Sequence, residues 1–545
     1  MAAKPVSAKA AKAGAKKSGT KPPENPRRAA TIAVPEGTSN LIYTGADWDF
    51  DKLGRIFDAV RDIGEGEMGL DTYRTQIEVI TSEQMLDAYS SVGMPLFYKH
   101  WSFGKDFARN QMLYQKGWQG LAYEIVINSD PCVCYIMEEN SATMQAIVLS
   151  HAAMGHNHFF KNNYVFRQWT DASGITDYLA FAKSYIAKCE ERYGIEAVER
   201  LIDATHALQS HGIHRYPGKR SMDLRSEERR EQERRAHGEA LFNDLWRTVP
   251  QGKGKKSSKK TDVDARRQML GLPEENLLYF LEKTAPRLAG WQREIIRIVR
   301  LIAQYFYPQR QTKMMNEGCA CFVHHRTMTR LHEKGQINDG AFLEFLHSHT
   351  SVVMQPDFDD RRYSGINPYA LGFGMMQDIE RIALTPTDED RAWFPDIAGN
   401  GDAYGTLREI WANYRDESAI SQFLSPHLIR KMGLFHLVDD HDEEEMEVAA
   451  IHDERGYREV RRALARQYDV ARRDPDIQVT DVDLAGDRRL ELRHNVLDGV
   501  TLEEKDADRV LQHLADLWGY PVRLIEGDDE HVYVEHKAEP MRPFA

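Results

Sequence analysis

The hydrophobic period of this chain changes once, near Met432, and that change constrains its fold more than any other feature. From about Trp48 to Gly212, apolar residues recur at the three- and four-residue spacing of helices. The spacing resumes at "NLLYFLEKTAPRLAGWQREIIRIVRLIAQYFYPQ" and runs, with Pro- and Gly-rich loops, to Met432. One strand-like run interrupts it, "LAYEIVINSDPCVCYIM", whose Ser-Asp-Pro predicts a hairpin. Beyond Met432 come "LFHLVDD", "MEVAAIHD" and the helix "GYREVRRALARQYD", then "IQVTDVDLA", "RRLELRHNV", the helix "KDADRVLQHLADLWG", and a closing "PVRLIEG" and "HVYVEHK". That is strand, strand, helix, given twice, with a final hairpin. Each helix needs a sheet to cover its apolar stripe, so the predicted class is α+β: a large, mainly helical N-terminal domain and a small C-terminal α/β sandwich.

Three segments interrupt this plan. Residues 1–30 hold eight Lys/Arg against one Glu in an Ala/Lys/Pro/Gly background, which predicts a disordered basic arm over residues 1–40. Such an arm serves either as a solubilising extension or as a nucleic-acid tail. Within the helical domain, 41–432, residues 220–265 read as an exposed insertion: a charged helix, "DLRSEERREQERRAHGEA", then "PQGKGKKSSKKTD", a loop with no apolar residue to bury. The C-terminal domain, 433–545, carries an acidic loop, "DDHDEEEME", without the Asx/Gly spacing of a calcium loop. A formal charge of −13 makes the body a poor general partner for nucleic acid. No apolar run is long enough to span a membrane and the N-terminus has no secretory h-region, so a cytoplasmic location is expected. The five cysteines form no CxxC pair, which points to idle or buried thiols rather than disulfides or a thiolate zinc site.

Chemistry concentrates in two stretches. "VLSHAAMGHNHFFKNN", residues 148–163, sets His151 and His156 five apart on a helix, with Ala152 where an HExxH peptidase has its glutamate. On an ideal helix those two histidines point about 140° apart, so they reach one ion only if the turn widens, as a π-bulge would widen it. "MMNEGCACFVHH", residues 314–325, sets Glu317 and His324 seven apart, within about 20° on one helix face. Gly318 and Ala320 beside them admit a second backbone. Two imidazoles and a carboxylate suit a divalent transition metal, zinc first, with iron or manganese as alternatives. The opposing reading is two histidines hydrogen-bonded within a core. Glu317 is harder to place that way, because a buried carboxylate must be paired or ligated.

The Asn-Glu-Gly-x-Ala run resembles the second metal helix of gluzincin peptidases, and "VLSHAAMGH" a degraded first helix. A zincin-like two-helix core is therefore expected, with His151, His156 and Glu317 as ligands. Ala152 cannot act as general base, so ordinary peptidase chemistry is not expected. Glu138 or Glu139 in "MEEN" is a replacement carboxylate, and His324 a base or fourth ligand. His158, His325, His347 and His349 read as surface or supporting groups. "YKHWSFGKDF", "QGLAYEIVINSDP" and "YSGINPYALGFGM" have the composition of cleft walls. No Walker loop, GxSxG elbow, kinase set or GxGxxG after a strand is present.

These segments, with "EVITSEQMLDAYSSVGMPLFYKHWSFGK", "YFYPQRQTKMMNEGCA" and "EFLHSHTSVVMQP", resemble the SpoVR family, the stage V sporulation protein R-like proteins, from about residue 40 to 540. The resemblance implies a link to spore cortex assembly, or to stationary-phase and starvation responses in bacteria that do not sporulate. It also implies a PrkA-like serine kinase and a von Willebrand-type protein as partners. Family members are similar at His151, His156, Asn157, Glu317 and His324, while Cys319 and Cys321 replace an aromatic and a small polar residue. Two functions follow: a metal-dependent hydrolase on a cell-wall or peptide-like substrate, using Glu139 or His324 for protons, or a non-enzymatic regulatory scaffold built on a degenerate metalloprotease-like core.

Overall fold

The computed structural model describes residues 40–91, 97–115, 124–215, 267, 270–438, 447–450, 453–484, 486–527 and 534–541. The basic arm through residue 39, the charged insertion and the acidic loop at 439–446 lie outside the described residues. The fold is α+β, mostly helical, with a small C-terminal sheet. Among the described residues no helix is long and apolar enough to cross a membrane.

The hairpin expected around Ser-Asp-Pro is present. Strand β1 (Thr75–Ile80) runs parallel to β3 (Cys132–Met137), and β2 (Glu124–Ile127) pairs antiparallel with β3, giving the order β1-β3-β2. Against this sheet lies a helix in three continuous segments: Ala142–Val148, a π-helical stretch Leu149–His156, and Asn157–Asn162. Ser141 starts it, its hydroxyl accepting from Met144 N at 3.0 Å. Asn157 ties its far end to the chain entering β1, accepting from Tyr73 N (2.8 Å) and donating to Tyr73 O (3.0 Å). This His151 helix packs on the Glu317 helix, Lys313–Glu333, which in turn packs on the Gly372 helix, Pro368–Leu384.

Glycines set the spacing of the three. A Cβ at Gly155 would stand 2.6 Å from Ala320 Cα, and one at Gly318 would stand 2.6 Å from the Gly372 carbonyl carbon. The close approach expected of the small residues is therefore real for Gly155 and Ala320, whereas Gly318 faces the Gly372 helix. Asp416 fixes the start of the Glu317 helix, its two oxygens each accepting one backbone N–H, from Met314 and Met315, both at 2.9 Å. These elements share one hydrophobic cluster, which includes the buried Met314, Phe322, Leu371 and Trp411.

The C-terminal region differs from one sandwich covering both helices. Strands β4 (His436–Val438) and β5 (Glu447–Ala450) form a separate two-stranded sheet. The helix after them, Glu454–Tyr468, buries Tyr457, Val460 and Leu464 in the helical body's own cluster. The second group and the closing hairpin build the main sheet, β6 (Asp476–Val482), β7 (Leu490–Asn495), β8 (Val522–Glu526) and β9 (Val534–Ala538), in that order, with the helix Glu504–Trp518 packed on it. Its residues Val479, Leu492, Leu514 and Leu524 join a second cluster with Leu201, Leu278 and Ile295 from helices earlier in the chain. Backbone bonds in both directions between Glu274 and Val479 (3.1 and 2.8 Å) fasten the same junction.

Candidate metal centre

The π-helical turn brings His151 and His156 to one side. Asn157 N–H donates to Ala152 O, five residues back, and the two imidazole centroids lie 4.6 Å apart with nearly perpendicular rings. Opposite them stands Glu317, whose Oε2 is 3.7 Å from His151 Nε2 and 3.6 Å from His156 Nε2. A fourth group arrives from β2: Glu124 Oε1, 3.6 Å from His151 Nε2. Such spacings are too long for hydrogen bonds. They come close to the edge of a tetrahedron, roughly 3.3–3.4 Å when ligands sit about 2.0–2.1 Å from zinc. Glu124, His151 and His156 each offer a ligand atom within 4.8 Å of one another, with Glu317 facing both imidazoles, and these donor types suit a divalent cation.

The outward nitrogens are also held. His156 Nδ1 donates to Asn316 Oδ1 at 2.9 Å, which leaves its Nε2 lone pair facing Glu317. His151 Nδ1 lies 2.8 Å from His324 Nδ1, and His324 Nε2 lies 2.7 Å from His349 Nδ1. The group opens into a cleft of about 460 Å³, walled by Val126, Ile147, Phe160 and Tyr369, with 17% of the Glu317 side chain exposed at its floor.

Electrostatics divide the titratable groups. Burial pushes the Glu124 carboxyl up to about 7, with the charge of His151 opposing and that of Glu317 assisting. Burial also acts to raise Glu317, but the fields of His156 and His151 outweigh it and hold that carboxyl below its ordinary value. For His151 burial disfavours the charge, and Glu124, with Cys321 and Glu317, overcomes it, so the ring is held well above the usual range. His156 is pushed down to about 4 and His324 well below the ordinary histidine value, burial leading in both. His151 Nε2 thus lies between the Glu124 and Glu317 carboxyl groups, 3.6 and 3.7 Å away, a position that favours positive charge.

Of the residues singled out in the sequence, His151, His156 and Glu317 converge. His324 joins them one ring removed: it lines the same cleft and meets His151 through Nδ1 rather than through the Nε2 that faces the carboxylates. Glu139 does not join: its Oε1 accepts from Ser82 N at 3.2 Å, away from the cleft. Ala152 is fully buried in the core. Glu124 and Tyr369 come from two of the segments read as cleft walls and His349 from the histidines read as supporting groups, but none of them was singled out for chemistry. Glu124 left a trace, since a carboxylate inside "EIVI" stands on the same strand face as Val126. Cys321, read as an idle thiol, lies within reach of His151 and His324. All five cysteines are buried and free.

Comparison with known proteins places the chain. The family model described as "SpoVR like protein" matches residues 47–473, and that described as "SpoVR-like C-terminal domain" matches 475–529. The chain belongs to the SpoVR-like protein family. A relative from Escherichia coli (strain K12), bearing the name "Uncharacterized protein YcgB", is 51% identical over 501 residues, covering 92% of this chain and 97% of its own length. No solved structure matches the chain significantly.

Proposed function

We propose that this SpoVR-like protein binds one divalent transition metal through His151, His156 and Glu317 in a zincin-like core and uses it for hydrolysis of a peptide-like substrate. The observation that carries this reading is the convergence of two Nε2 atoms and one carboxylate oxygen at 3.6–3.7 Å on a cleft. Zinc is the first choice for a His₂Glu set, with iron or manganese compatible with it. Such a cation supplies Lewis-acid polarisation of a carbonyl oxygen.

The remaining work falls to side chains of this chain. Glu124, on the strand wall of the cleft, takes and returns a proton at Oε1, the task for which Ala152 has no group. Strand β2 is the edge of its sheet among the described residues, pairing only with β3, so an extended backbone can lie along it. Glu317 and His156 hold the cation side of the cleft, while Val126 and Phe160 exclude water from it. The cellular setting assigned is the one the resemblance implies, cortex assembly in spore formers and starvation response elsewhere.

The test is turnover of peptidoglycan-derived peptides and unstructured polypeptides by the zinc-, iron- and manganese-loaded protein. Glu124→Gln is expected to lower turnover per bound metal ion by roughly 10²- to 10⁴-fold. A loaded wild type that cleaves none of these favours the second reading, a regulatory platform for partners such as the kinase and von Willebrand-type protein. The buried Ala152 is the observation on that side.

A further inference from the structure

A row of three histidines runs along the cleft from the donor set, and its last two members are not part of that set. It starts at His151, passes through His324 on the Glu317 helix, and ends at His349 on the helix Asp339–Val352. The two links measure 2.8 Å (His151 Nδ1 to His324 Nδ1) and 2.7 Å (His324 Nε2 to His349 Nδ1). All three rings are buried, with His324 and His349 at 3% and 4% exposure. His349 is wedged between Phe345 and Phe373, at centroid distances of 5.6 and 4.6 Å.

A neutral imidazole has one N–H and one lone pair, so each link fixes the next. When His151 Nε2 presents its lone pair to a cation, its proton sits on Nδ1 and is donated to His324 Nδ1. The His324 proton then sits on Nε2 and is donated to His349 Nδ1. A lost acceptor anywhere in the row leaves a buried N–H without a partner and frees the His151 ring to turn or to change tautomer. We propose that His349 is a positioning residue for the metal centre: through His324 it holds His151 as the Nδ1–H tautomer with Nε2 aimed at the cation, although its own ring is two imidazoles away. This rests on the metal reading above and adds a residue and a role to it.

Zinc alone is the probe. Its affinity is measured by competition with a chromophoric chelator for the full-length wild type, His349→Phe and His349→Asn, with a thermal melt on each. Phe keeps the aromatic packing and removes the acceptor; Asn keeps an acceptor oxygen at the δ1 position. Loss of such an outer partner typically weakens binding by roughly 10- to 100-fold, which is expected for His349→Phe, with His349→Asn restored to within about 3-fold of wild type. Equal affinities in wild type and His349→Phe overturn the proposal, as does an Asn variant as weak as Phe, which would assign the effect to packing. Ring ¹⁵N shifts of the zinc-loaded wild type give an answer that needs no variant: His324 is expected protonated at Nε2 and bare at Nδ1, and the opposite tautomer contradicts the row. A wild type that binds no zinc, iron or manganese fails the metal reading itself, a result distinct from either.

Discussion

Asn316 makes one contact that matters to the site, the acceptor oxygen 2.9 Å from His156 Nδ1. Asn316→Leu is nearly isosteric and removes that acceptor, so metal affinity is expected to fall by roughly 10-fold or more with the fold retained, as titration with zinc would show. Ala152 marks the opposite case. Restoring the peptidase glutamate there would force a carboxylate into a fully buried position rather than into the cleft, so Ala152→Glu is expected to destabilise the protein by several kcal/mol without gaining hydrolysis. A melting temperature equal to wild type would contradict that placement. His151, His156 and Glu317 were legible because their spacing and small neighbours are local features of two short segments. Glu124 was legible only as part of a cleft-wall segment and His349 only as a surface or supporting histidine, because β2 and the helix Asp339–Val352 reach the site through tertiary packing that no spacing records.

Between helices, what matters is how closely backbones approach. The five-residue spacing of His151 and His156 demanded a widened turn, and the π-helical stretch Leu149–His156 supplies one. Its counterpart is Gly155, which lies against Ala320 with no room for a Cβ. Gly155→Ala is expected to cost about 1–3 kcal/mol in unfolding free energy and to move the histidines away from Glu317, weakening metal binding as well. A variant as stable as wild type with unchanged affinity would show that the two helices can slide apart freely. The β6–β9 sheet was legible from alternation, but the allegiance of Glu454–Tyr468 was not. Its stripe of Tyr457, Val460 and Leu464 fits a sheet or a helical face equally, and only the three-dimensional neighbours decide.

Across the whole molecule, the sheet at the C-terminus shares its core with helices hundreds of residues earlier. Phe280 stacks on Trp518 at 5.9 Å, and β6 is bonded to Glu274. Expressed alone, residues 433–545 are therefore expected to melt lower and more broadly than the full chain; an equally sharp and high transition would show that the sheet sustains its own core. Acid should act on the whole chain as well. Burial pushes His158, His206 and His211 each down to about 4, so between about pH 4 and 6.5 these rings are neutral in the fold and protonated when unfolded. The unfolded state then binds more protons, and stability falls as pH drops through that window, these three contributing roughly three protons to the slope near pH 5. Thermal melts from pH 7.5 to 4.5 check the sign. The central claim, that two histidines on a π turn and one glutamate on the facing helix hold a metal, is tested most directly by elemental analysis of protein purified from metal-replete cells. About one transition-metal ion per chain is expected in the wild type and little or none in folded His151→Ala and Glu317→Ala variants. A wild type without metal, or variants that keep it, would contradict the account.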